Sequence, residues 1–132
     1  MDPVQAAGSG AELRKIAAAL RADKFPIEAV YLIKLESDEG YVDWVIRLVA
    51  RAKLREATFK ALELRRAGKF PAFGRQFRID AIRPDHPEAS RVIAHAQRYG
   101  YAPVEFEGVL LDGLLVDYAL VADFPGAHEA AA

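Results

Sequence analysis

Side chains able to do acid–base or metal chemistry are few and dispersed in this sequence. The histidines are His86, His95 and His128, and no His-Glu-x-x-His or similar spacing brings two of them together, so no metal site is expected. Cysteine is absent, which removes thiolate nucleophiles, disulfides and cysteine-type zinc sites. Serine occurs only at positions 9, 37 and 90, never in a G-x-S-x-G elbow, and both kinds of glycine-rich phosphate loop are missing. What remains for acid–base work is His86 beside Asp85, with Asp80 and Asp117 as further carboxylates. Each has a structural use as well. Asp85 and Glu88 match a capping box, and a β-bulge at Gly108 would turn Asp117 outward. His95, one turn from Arg91 and Tyr99, sits at the edge of an apolar helix face. No catalytic residue is assigned on this basis, and no cofactor is expected.

Anion binding is the second chemistry the residues could support. Residues 47–78 carry a charge of +8, whereas residues 1–46 carry -3 and residues 79–132 carry -6, so a formal net charge of -1 hides a strong polarity along the chain. The candidates are Arg51, Lys53, Arg55, Lys60, Arg65, Arg66, Lys69, Arg75 and Arg78. Clustered cations focus a positive potential that attracts phosphate groups, nucleic acid or acidic proteins. Phe59, Phe70, Phe73 and Phe77 could stack on bases, although aromatic residues at such spacing also build cores. The alternative is that these cations form a solvated helix face or pair with Glu105, Glu107 or Asp117 within the fold. On a helical wheel they spread widely, and no nucleic-acid motif accompanies them.

The elements that would position these residues follow from periodicity. Ser9 and Glu12 form a capping box before Leu13, Ile16, Ala17 and Leu20, which predicts a helix over about 10–23. "EAVYLIKLE" at 28–36 reads as a strand followed by the turn candidate "SDEG". Residues 41–50 fit strand alternation and helical spacing alike; a strand forming a hairpin with its predecessor is the reading adopted, and a helix running into the basic stretch is the alternative. Leu54, Ala57, Ala61 and Leu64 then mark a helix ending before Gly68. "FGRQFRIDAIR" alternates as a third strand, and Ala89, Val92, Ile93 and Ala96 line a third helix that Gly100 ends. Asp112-Gly113 between two apolar runs predicts a two-residue hairpin, because a type I′ turn needs positive φ at both central positions.

Together these give an α+β single domain with the order α-β-β-α-β-α-β-β, a mostly antiparallel sheet of about five strands and three packing helices. The domain is expected over 10–124, with a flexible start at 1–9 and a mobile tail at 125–132. Both faces of the last hairpin are largely apolar, whereas a solvated sheet face should read polar at alternate positions. Either helices cover both sides or one side meets a partner. Val109, Leu111, Leu114, Val116 and Tyr118 are the interface candidates on that hairpin. The leading function is a non-catalytic binding or regulatory domain acting through protein–protein contact, with a homodimer as one form of it. Anion or nucleic-acid binding through 47–78 is the alternative, and a small enzyme with a His/Asp site comes third. No signal peptide or membrane-spanning run is seen, so a cytoplasmic location without membrane or metal partners is expected, and abundant Ala and Arg suggest a GC-rich bacterial genome.

Overall fold

A computed structural model of the protein describes residues 9–36, 39–70 and 77–129. In chain order the elements are α1 (Ser9–Ala22), β1 (Ile27–Glu36), β2 (Val42–Ala50), α2 (Leu54–Arg66), β3 (Phe77–Ile82), α3 (Pro87–Gln97), β4 (Tyr101–Ala102), β5 (Val104–Leu111), β6 (Leu114–Asp123) and β7 (His128–Glu129). The expected α-β-β-α-β-α-β-β succession is present, with β4 and β7 added as a short parallel pair. Within the segment expected as a tail, the His128 N–H donates to the Gly100 carbonyl at 3.0 Å. Among the described residues no helix is long and apolar enough to cross a membrane.

The main sheet runs β3-β2-β1-β6-β5. Its pairs are antiparallel except β2 with β3, which are parallel, so the sheet is mixed. The cause is the connection: α2 carries the chain from the end of β2 back to its start, so β3 sets out in the same direction. Residues 41–50 are resolved as a strand from Val42 onward. Val45 and Val49 pack on one side of the sheet while Ile46, Leu48 and Ala50 pack on the other. Burial on both faces erases the polar alternation, which is why this segment also matches a helix.

The helices divide two to one. Leu13, Ile16, Ala17 and Leu20 of α1, with Ala57 and Ala61 of α2, pack over Val30, Leu32, Ile46 and Leu48. Ala89, Val92 and Ala96 of α3 pack on the opposite face, against Tyr31, Ile33, Phe106 and Ala119. Small residues on α3 let its backbone lie close to the sheet. α2 also guards the outer edge of β3, where Thr58 Oγ1 accepts the Ala81 N–H at 3.0 Å and the Arg65 guanidinium donates to the Phe77 carbonyl. An edge whose outward backbone groups are bonded in this way is a poor template for another strand.

The Asp112-Gly113 turn joins Leu111 to its partner Leu114, and φ is 47° at Asp112 and 86° at Gly113, as a type I′ turn requires. The faces of this hairpin differ from the alternation expected. Val104, Phe106, Ala119 and Val121 face α3, and so do Val109, Leu111, Leu114 and Val116, although Phe106 and Val109 lie an odd number of residues apart. The parity therefore changes at Gly108, whose φ is 63°, and at Asp117 across from it.

Candidate functional site

The most enclosed polar group in the described chain sits under the N-terminus of α3. Arg47 and Glu88 are each 7% exposed. Arg47 Nε donates to Glu88 Oε2 at 2.8 Å and Nη2 to Glu88 Oε1 at 3.3 Å, while Nη1 reaches Asp80 Oδ2 at 2.9 Å. Tyr31 Oη donates to Glu88 Oε2 at 2.6 Å. β1, β2, β3 and α3 each contribute one member. Burial, then the Glu88 charge and hydrogen bond, raise the Tyr31 pKa far above the ordinary tyrosine range, so the phenol stays a donor. Burial disfavours the Arg47 charge, but the hydrogen bond and attraction of Glu88 outweigh it and the Arg47 pKa is raised. With each charge paired and its geometry fixed, the cluster can dock α3 on the sheet.

This cluster escaped the sequence reading because its members are scattered. Arg47 was visible only as one cation of the basic segment, and Glu88 only as a capping residue. The cap itself differs by one position: His86, not Asp85, is the N-cap of α3, its Nδ1 accepting the Glu88 N–H at 3.1 Å, with Pro87 next. His86 is thereby occupied. Asp117 faces Lys34 Nζ at 3.5 Å rather than the α3 side, and Lys34 in turn lies over the Trp44 ring. Asp80 on β3 lies level with Arg47, Tyr31 and Val121, so Asp117 on β6 is three strand spacings away across the sheet, about 14 Å, and four residues further along its strand. The geometry does not gather His86, Asp80 and Asp117 into one pocket. Among the described residues no three His, Asp or Glu side chains group as a metal ion would require.

Part of the basic segment is paired with acceptors. Arg51 pairs with Glu28 at 2.6 Å, Arg78 with Asp43 at 3.3 Å and Lys60 with Asp23 at 3.9 Å. Arg65 serves the Phe77 carbonyl, and Arg55 lies over the Phe59 ring at 5.3 Å. Lys53 precedes α2 in a left-handed conformation, whereas Arg66 and Lys69 lie at the other end of that helix. Arg75 and Phe73 fall outside the described residues. Glu28 belongs to β1, Asp43 to β2, and Asp23 follows α1, whereas on the last hairpin Glu105 accepts from Tyr118 Oη at 2.6 Å.

The interface candidates lie on the inner side of that hairpin. Val116 is fully buried, and Val109, Leu111 and Leu114 pack partly buried against the α3 core. Tyr118 packs on the opposite core, edge-on to Trp44 at 5.8 Å. The side chains that do face solvent are their neighbours Leu110, 68% exposed, and Leu115, 66% exposed, which sit directly opposite each other across the two strands. The irregularity at Gly108 that was expected to turn Asp117 outward is this parity change, and the interface candidates, chosen on unbroken alternation, miss the bare apolar pair by one residue. β5 is also an end strand of the sheet, its far side without a strand partner among the described residues.

What the fold and these groups define is an α+β domain with a fully paired buried polar cluster and an apolar pair at the tip of its last hairpin. Comparison with protein-family models, with curated proteins and with solved structures gives no match.

Proposed function

We propose that this domain is a binding module that works by protein contact through the outer side of the β5–β6 hairpin, and that its first partner is a second copy of itself. The observation that carries the reading is the Leu110–Leu115 pair, two large apolar side chains opposite each other and bare to solvent beside an end strand. A two-fold axis over the pair sets leucine against leucine, which is the self-complementary arrangement a symmetric dimer needs. Glu105, Glu107 and the bend at Gly108 discourage pairing along the rest of β5, so contact is confined to the hairpin tip. The dispersal of His86, Asp80 and Asp117 supports a non-catalytic role. The absence of cysteine fits a reducing compartment, and the reading places the protein in the cytoplasm.

Sedimentation velocity over rising protein concentration tests this. The wild-type chain should shift from monomer to dimer, and Leu110→Glu or Leu115→Glu should hold it as monomer. Both side chains project into water, so either change should leave stability within about 0.5 kcal/mol. A wild-type chain that stays monomeric at high micromolar concentration overturns the proposal.

A further inference from the structure

A second surface, on the other side of the same hairpin, sets two arginines against one exposed carboxylate. Between α3 and the hairpin tip lies a cleft of about 240 Å³ lined by Arg91, Ala94, His95, Arg98, Leu111 and Asp112. Arg91, His95 and Arg98 follow one another at i, i+4 and i+7, which places them on one helix face. The helix dipole alone favours a cation in the last turn and so accounts for Arg98, but not for Arg91 nearer the start. Arg91 has one carboxylate near it, Asp112 at 3.7 Å, and that side chain is 92% exposed, so water screens the pair. The Arg98 guanidinium has no carboxylate or carbonyl partner among the described residues. His95 is held edge-on between Phe106 at 4.6 Å and Tyr99 at 5.6 Å, and its Nε2 is buried without a hydrogen-bond partner.

Two other grooves among the described residues also hold a cation without a carboxylate partner, Arg14 in one and Arg55 in the other, but neither is lined by a buried side-chain nitrogen that lacks a hydrogen bond. In the one between α1 and β7, Arg21 is already bound to Asp123 at 2.6 Å and to the Ile27 carbonyl at 3.0 Å. In the one between α2 and β3, Arg55 lies over the Phe59 ring, and the Asp80 carboxylate is held by Arg47 at 2.9 Å.

We infer that the α3–hairpin cleft binds a small organic anion, a carboxylate or phosphate carried on an apolar body. Arg98 holds the anionic group, for which a guanidinium offers a planar pair of donors. Ala94 and Leu111 take the apolar body, and His95, whose Nε2 is buried as the structure stands, forms the wall beside them. The volume is below that of sites for drug-sized ligands, which limits the body to about one ring or a short chain. The outer face of the hairpin takes no part, so the inference stands apart from self-association.

The test is a titration followed by amide NMR, with phenyl phosphate, phenylacetate, benzyl alcohol and inorganic phosphate as probes. Phenyl phosphate or phenylacetate should shift the amides of residues 91–98 and 111–113 saturably, and benzyl alcohol and inorganic phosphate, which each carry half of the chemistry, should bind more weakly. Arg98→Ala should weaken the better anion by about tenfold or more, the loss of one charge-assisted hydrogen bond. Arg91→Gln should weaken it too, and the amide spectrum reports that each variant is folded. No saturable shift with either organic anion at millimolar concentration overturns the inference, as does binding that Arg98→Ala leaves unchanged. A chain that is monomeric throughout yet binds phenyl phosphate in this cleft upholds it and removes only the dimer.

Discussion

Glu88 is the residue on which α3 depends most. Its carboxylate accepts from Arg47 on β2 and Tyr31 on β1, so one side chain ties the helix to two central strands. Removing it leaves a buried guanidinium facing only Asp80 and a buried phenol facing nothing, and losing one partner of a buried ion pair costs about 3–5 kcal/mol. Glu88→Ala should therefore lose that much in urea denaturation. The pair need not be the best filling of the space, because burying charge is itself costly. The triple change Tyr31→Phe, Arg47→Met, Glu88→Leu removes the donors and the acceptor together and should be clearly more stable than Glu88→Ala alone. If the triple variant is the less stable of the two, the cluster contributes more than its desolvation removes. None of this was legible in the sequence: a segment with ten basic residues hid Arg47, the one buried arginine among those described, since charge counts carry no information about which side chain a strand turns inward.

Elements were far more legible than side-chain partners, and the reasons are local. The last hairpin was readable because Asp112-Gly113 satisfies a backbone requirement that few dipeptides meet. α1 and α3 were readable because each buries one narrow stripe, which preserves the helical period. The parallel β2–β3 pair was missed although the β-α-β order implies it, since residue types alone do not show where a helix returns the chain. That edge now yields a test. Thr58 on α2 accepts the Ala81 N–H on the outer side of β3, so Thr58→Val leaves a backbone donor without its acceptor while keeping the side-chain shape. The expected loss is about 1–3 kcal/mol, with faster hydrogen exchange at the Ala81 amide. An exchange rate at Ala81 that does not change would mean that water, not α2, satisfies this edge.

The charge polarity of the chain survives folding in altered form. Arg51, Arg78 and Lys60 are paired with Glu28, Asp43 and Asp23, so part of the positive charge of the middle third is met within the fold, whereas the hairpin beside Leu110 and Leu115 carries Glu105, Glu107 and Asp112. A two-fold contact at the hairpin tip brings the acidic groups of both copies near one another, and like charges at that separation repel across a Debye length of about 10 Å at 0.1 M salt. Raising salt screens this repulsion and leaves the leucine contact intact, so the dimer should tighten as sodium chloride is increased from low to moderate ionic strength in sedimentation equilibrium. Binding of nucleic acid through the basic segment would show the opposite sign, since affinity there falls as salt releases its counterion advantage. A dimer that weakens with salt would place its contact on paired charges instead of on Leu110 and Leu115, and the two-fold arrangement over the hairpin would have to be given up.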